Sequence, residues 1–332
     1  MPKPDDLLTD VIDYYNEIEC IKRRSADTVD RIIKRYSSTE KFIASLEPKL
    51  IDSPKSRDFH KLYKLYDTIF ELPEEKTDEK GFLSILALND SKDFKKALGK
   101  FQEAWIYLED PSTKEVIAGV NFDVFASGKE NGIDGTVAVI YTFVKPDYRY
   151  FGLGKKLLEC MENYASNFLS GKTGKDAVIS NARFMKNILC FGEVNDPAKL
   201  DLLKYYDDLA SAKIDPCDRA VWWMKRGYRK LDFEYVQPPL SSSQKKCNYT
   251  SIYVKSNKKS IPSSVALEHM KKFFSFTIFS SPDISKNPFF LDTKKKLSKS
   301  KIINLTKPNY SSYRGKFLAR LKKSLKSDSI RF

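Results

Sequence analysis

Apolar residues recur at three- and four-residue spacing at Leu7, Val11, Tyr14, Ile18 and Ile21, and again at Val29, Ile32, Ile33 and Tyr36. Each set falls on one face of a helix. Ser25-Ala26-Asp27 between them reads as a break, so residues 5–47 predict two helices. Phe59, Leu62, Tyr63, Leu65, Tyr66 and Ile69 predict a further helix that stops before Leu72-Pro73. From about residue 100 the pattern turns to strands. Ala104–Leu108 and Val116–Phe125, joined through Glu109-Asp110-Pro111-Ser112, form a hairpin rich in β-branched and aromatic residues. Thr136–Val144 follows as a strand of buried character, and Lys155–Phe168 as a helix with Leu157, Leu158, Met161, Tyr164, Ala165 and Phe168 on one face. Asn187–Val194 predicts a strand, 198–212 and 216–226 predict helices, and 231–236 and 247–254 predict strands. After about residue 280 periodicity fades, until Tyr313, Phe317, Leu318, Leu321 and Leu325 align on one face of a basic amphipathic helix near 310–326.

This order describes a mixed α/β domain. Three regions are expected: a helical N-terminal extension (1–50), a central domain (51–255) and a basic C-terminal extension (256–332). The 22 Phe, 18 Tyr and 3 Trp supply material for a core. No apolar run is long enough for a membrane span, and Met1-Pro2-Lys3-Pro4-Asp5-Asp6 turns acidic where a signal peptide needs an apolar stretch. The expected location is the cytoplasm. Richness in Lys, Asn, Ser, Phe and Tyr also fits an exported effector of an intracellular bacterium.

Five scattered cysteines without a CxxC exclude a disulfide framework and a zinc cluster. With only His60 and His269, a histidine-rich metal site is excluded, and both are read as surface or packing residues. No metal is expected. The net charge of +14 is concentrated: residues 255–332 hold 19 Lys plus Arg and 4 acids, so the rest of the chain is close to neutral. A basic tail of this kind suits an anionic membrane surface or a nucleic acid, and equally a solvated or docked segment.

The most informative segment is Val144-Lys145-Pro146-Asp147-Tyr148-Arg149-Tyr150-Phe151-Gly152-Leu153-Gly154-Lys155-Lys156. A buried strand enters a turn, two glycines admit close backbone approach, and a helix begins at once. Unpaired N–H groups, the helix dipole and flanking cations favour a pyrophosphate there. Arg149, Gly152 and Gly154 match the R/Q-x-x-G-x-G/A loop of the GNAT superfamily of N-acyltransferases, which this segment resembles. Arg219-Ala220-Val221-Trp222-Trp223-Met224-Lys225-Arg226-Gly227-Tyr228 resembles the helix and turn that close that fold. The resemblance covers about 55–255 and implies a mostly antiparallel sheet flanked by helices, splayed into a V between its fourth and fifth strands. It implies acetyl-CoA as co-substrate, with backbone groups of Thr142, Phe143 and Val144 on its pantetheine. It also implies that backbone N–H groups of Arg149, Tyr150, Phe151, Gly152, Leu153, Gly154 and Lys155 hold its pyrophosphate.

The implied reaction is attack of an amine, from a protein or a small cationic molecule, on the thioester. It needs a proton acceptor, a carbonyl polariser and a proton for the leaving thiolate. The family's thiolate-protonating tyrosine position holds Trp223, and Cys217 stands where Asn is frequent. An indole N–H is no useful acid, so Tyr228 and Tyr206 are the candidate substitutes. Glu193, at the end of the strand beside the V, is the candidate base, with Asp196 in reserve; both residues also suit helix capping. The helix in the 195–216 insertion, with Asp201, Asp207 and Asp208, would wall the acceptor cleft or simply be a solvated face. Gly171-Lys172-Thr173 lacks the first glycine of a P-loop and precedes a strand, which removes a nucleotide-triphosphate site. The leading expectation is an acetyl-CoA-dependent N-acetyltransferase. The alternatives are a catalytically weak GNAT-fold module that binds acyl-CoA or a partner, and an adaptor whose basic tail is primary.

Overall fold

The computed structural model of this chain describes residues 4–71, 76–128, 132–179, 187–239 and 246–310, with 312–315, 317 and 319 beyond. The expected mixed sheet flanked by helices is present. The strands are β1 (Lys49–Ile51), β2 (Phe101–Glu109), β3 (Val116–Ala126), β4 (Gly135–Val144), β5 (Ile188–Asn195), β6 (Tyr228–Leu231), β7 (Thr250–Lys255), β8 (Ser260–Pro262) and β9 (Ile302–Thr306). They form one sheet in the order β1-β2-β3-β4-β5-β7-β6-β9-β8. Among the described strands β4 and β5 are the parallel neighbours, and every other pairing is antiparallel.

One face of the sheet carries α1 (Pro4–Tyr36), α2 (Thr39–Ser45), α6 (Leu153–Leu169), α7 (Gly174–Ile179), α8 (Leu202–Ala212) and α9 (Pro216–Lys225) over Ala104, Ile106, Val120, Phe122, Val137 and Val139. On the other face α3 (Phe59–Ile69) and α4 (Glu79–Ala87) enclose an aromatic cluster of Phe59, Tyr66, Phe82, Trp105 and Phe143. Beside that cluster α5 (Lys92–Leu98) and α10 (Ser263–Phe273) close a second core around Phe101, Phe191, Ile252 and Met270. Strand residues alternate between these layers because successive side chains leave a strand on opposite faces.

Two local expectations change. The N-terminal region does hold two helices, but the first runs unbroken through Ser25-Ala26-Asp27 and the break falls at Ser37-Ser38, before a short helix over Thr39–Ser45. Ser25 Oγ donates to Pro146 O at 3.0 Å, and Thr28 Oγ1 to Arg24 O at 3.0 Å, so packing satisfies the residues that otherwise compete with a helix. Beyond residue 280, where periodicity fades, α11 (Pro288–Leu297) starts at an Asn287 cap and β9 joins β6 and β8. Residues 260–306 thus extend the central sheet and cover one of its faces. At the far end Tyr310 and Phe317 are buried and residues 312–315 are helical. Leu318, Leu321 and Leu325 of the amphipathic pattern lie outside the residues whose side chains are described. Among the described residues no helix is long and apolar enough to cross a membrane.

Candidate active site

Pairing between β4 and β5 runs from Gly135–Ile188 to Val139–Gly192 and stops there. On the other edge of β4 the register slips, with Asn121 opposite Tyr141 and Phe122 opposite Val139, so Ile140 is an extra, bulged residue. A bulge bends its strand, and this one lies at the point where β4 leaves β5. The result is a fork whose arms are Ile140–Val144 and Glu193–Asn195. Thr142, on the β4 arm, is half-buried, and its Oγ1 has no hydrogen-bond partner among the described residues.

Glu193 is the first residue of the β5 arm, opposite Ile252 of β7. Its carboxylate accepts from Tyr235 Oη at one oxygen and from Gln237 Nε2, at 3.1 Å, at the other. Burial pushes this carboxyl up to about 7, and the Tyr235 hydrogen bond pulls against that rise. Glu193, Ala138, Val139, Gly192 and His269 line a small cavity of about 10 Å³ at the base of the fork. His269 stacks on Phe191 at 3.8 Å and bonds Thr136 Oγ1 through Nδ1 at 2.9 Å. Burial and the charge of Lys272 hold its pKa down to about 3, so the ring is neutral. His60 lies at the surface beside Glu79.

Asp196, three residues on, is fully buried and is held quite differently. Lys230 Nζ, Ser251 Oγ, Tyr310 Oη and the Ala198 N–H all bond its two oxygens. Burial opposes its charge, but Lys230 and these donors keep its carboxyl below the ordinary range. It is a saturated anion that ties β5, β6, β7 and the Tyr310 segment together. No lone pair is left facing the fork, so it does not serve as a reserve base. The predicted helix from 198 correspondingly begins only at Leu202, capped by Asp201.

The glycine loop is also partly redeployed. Gly152 (φ 104°) is the cap of α6, and the first helical bond runs from the Lys156 N–H to Gly152 O at 3.1 Å. Leu153, Gly154 and Lys155 therefore have N–H groups with no intrahelical acceptor. Tyr150 (φ 72°) is 59% exposed, and Phe151 packs on Tyr148 and Phe42. Arg149 departs from the expectation. Its N–H is taken by Pro146 O at 3.1 Å, and its guanidinium donates to Val144 O, Ala212 O and Lys213 O at 3.2–3.3 Å. The guanidinium thus joins the end of β4 to the C-terminal carbonyls of α8, where a helix dipole favours a cation. It also occupies the Val144 carbonyl that the resemblance assigns to pantetheine. Phe143 points into the aromatic cluster. Over Gly154 lies the Trp222 indole, so close that a Cβ there would sit 2.8 Å from it.

The candidate acids are not at the fork. Tyr228 faces Lys255 across β6–β7, Lys255 in turn faces Cys190, and Tyr228 is fully buried against Trp223, with ring centroids 4.7 Å apart. Cys190 belongs to the paired part of β5, which places Tyr228 below the fork. Burial raises its pKa strongly, and its hydroxyl lies against the Cys190 thiol. Tyr206 bonds Asp10 of α1 at 3.2 Å. Of the three acids on α8, Asp208 is buried and paired with Arg219, while Asp201 caps the helix. Tyr235 and Gln237 were not among the candidates. A tyrosine and a glutamine after a short strand carry no signal until tertiary structure places them on Glu193.

Among the described residues no group of three or more His, Cys, Asp and Glu could hold a metal ion. The β4 arm with Thr142 and the first turn of α6 fit the two ends of a pantetheine pyrophosphate, whereas Arg149, Val144 O and Trp222 limit the room between them. No family model and no curated protein matches the sequence. Among solved structures, a protein from Bacteroides thetaiotaomicron assigned to the GNAT family of acetyltransferases is similar. It shows 14% identity and a TM-score of 0.42 over 70% of this chain and 98% of its own. The ribosomal-protein-S18-alanine N-acetyltransferase of Escherichia coli is similar at 14% identity and a TM-score of 0.33, over 63% of this chain and 92% of its own.

Proposed function

We propose that the chain is a GNAT-type N-acetyltransferase that moves an acetyl group from acetyl-CoA to a primary amine. The observation that carries this is the fork: β4 leaves β5 at Val139–Gly192, and the next residue is a half-buried carboxyl group that desolvation pushes up to about 7. Glu193 takes a proton from the amine as its nitrogen attacks the thioester carbonyl, because a base with a pKa near the working pH transfers protons most effectively. The C–N bond forms, the C–S bond breaks, and the sulfur leaves as thiolate to be protonated. The β4 arm aligns the pantetheine, and the N–H groups of Leu153, Gly154 and Lys155 meet the pyrophosphate. Exposed Lys294, Lys295, Lys299 and Lys301 support contact of the C-terminal region with an anionic partner.

Trp223 at the acid position favours a second reading, a domain that binds acyl-CoA without rapid turnover. Calorimetric titration of the full chain with acetyl-CoA, followed by a primary-amine screen, separates the two. Turnover lost in Glu193→Gln supports the enzyme, and binding without turnover on any amine supports the module. Absence of binding removes both. Lys155→Glu, at an exposed position, places a negative charge at the loop and should weaken acetyl-CoA binding about tenfold.

A further inference from the structure

Taking a carboxylate even partly out of water without a cation is costly, and half-buried Glu193 has none among its described side-chain partners. Its two oxygens are instead held by two neutral donors from one short segment after β6. That segment is fixed by backbone hydrogen bonds in both directions between Gln237 and Cys247, at 2.8 and 3.0 Å. Thr250 Oγ1 lies 3.2 Å from Gln237 Oε1 and so occupies the acceptor end of the amide. The amide nitrogen is thereby turned to Glu193. Tyr235 is buried, 1% exposed. A phenylalanine would fill the same volume, and what the hydroxyl adds is its bond to the carboxylate.

We propose that Tyr235 and Gln237 are the positioning residues of Glu193, holding both carboxylate oxygens so that the group faces the fork and remains available as an anion. The catalytic consequence rests on the reading of Glu193 as the base. With one donor removed, the anion loses stabilisation and the neutral acid gains. A base that must be ionised to act then requires a higher pH.

The test is a ¹³C NMR titration of glutamate carboxyls in the full chain, with the Glu193 signal assigned by its loss in Glu193→Gln. It is paired with turnover of acetyl-CoA on spermidine and on a lysine peptide. In Tyr235→Phe and in Gln237→Met the Glu193 carboxyl should titrate about one pH unit higher than in the wild type. The acid limb of turnover should move the same way, with kcat at neutral pH down about tenfold and KM for acetyl-CoA within about twofold. The two variants remove donors from different oxygens, and thermal melting of each confirms its fold. If Glu193 titrates at the wild-type pH in both folded variants, the positioning role is overturned. If instead the titration moves but Glu193→Gln keeps full turnover, the base reading fails and with it the catalytic consequence of the pair.

Discussion

Glu193 and Asp196 stand three residues apart at the end of β5, the first half-buried and the second fully buried, on opposite faces of the sheet, and their surroundings drive them in opposite directions. Glu193 lies on the face shared with Tyr235 and α10, where two neutral donors only partly offset burial and leave it near 7. Asp196 lies on the face of Tyr253 and Tyr310, where an ammonium and three further donors hold it as an anion. Proximity in sequence makes them interchangeable candidates. Their partners separate a group that can exchange a proton from one that cannot afford to lose its charge.

Removing each carboxylate gives the sharpest contrast. Asp196→Ala strands Lys230 and Tyr310 and should destabilise the chain by about 3–5 kcal/mol, measured by denaturant unfolding. Comparable stability in the variant would break the comparison. Glu193→Gln keeps the side chain's size and the acceptor oxygen facing Gln237, requires the Tyr235 hydroxyl to turn from donor to acceptor, and removes the charge. Its melting temperature should therefore fall far less than that of Asp196→Ala, while turnover falls about 100-fold or more.

A smaller effect concerns pH. Glu103 and Asp123 face each other across β2 and β3, both buried. Burial, aided for Glu103 by the Asp123 charge, raises both, Asp123 from 3.8 to about 7. The folded state then holds protons that the unfolded state has released. Their contribution to stability is full below pH 4 and is lost as pH rises through about 7. His269, held down to about 3, works in the opposite sense below its ordinary pKa of 6.5, so the clean measurement is a difference. Between pH 4 and 7, Asp123→Asn should make the slope of stability against pH less negative than in the wild type by up to about 1.4 kcal/mol per unit. An unchanged slope would show that Asp123 is ionised throughout.

The smallest effect is at the surface contact of α1 with the 146–148 turn. Arg24 pairs with Asp147 at 2.8 Å, with side chains 54% and 36% exposed. A double-mutant cycle should return a coupling of about 0.2–1 kcal/mol, falling with added salt. A larger value would mean that this pair, rather than the buried contacts of Ser25, seats α1.

Much of the sheet was legible in advance because alternation and helical spacing report which side of an element is buried. β2, β3, β4, α6 and β5 fall close to where their apolar patterns put them. The run after residue 280 was illegible for the same reason. In β9 Ile303 and Leu305 alternate with exposed residues over only five positions, too few to stand out among lysines and serines. Ser25 misled because its hydroxyl partner, Pro146 O, is 121 residues away.

The site divides along the same line. Sequence alone determined the strand, turn, two glycines and helix of the loop, and the position of a carboxylate where β5 ends, because these are local patterns. Tertiary structure alone decided that Arg149 ties β4 to α8, that Trp222 lies over Gly154, and that Tyr228 falls below the fork. It alone chose between Glu193 and Asp196. Their protonation depends on Tyr235, Gln237, Lys230 and Tyr310, which are 34 to 114 residues away along the chain and within hydrogen-bond reach in space.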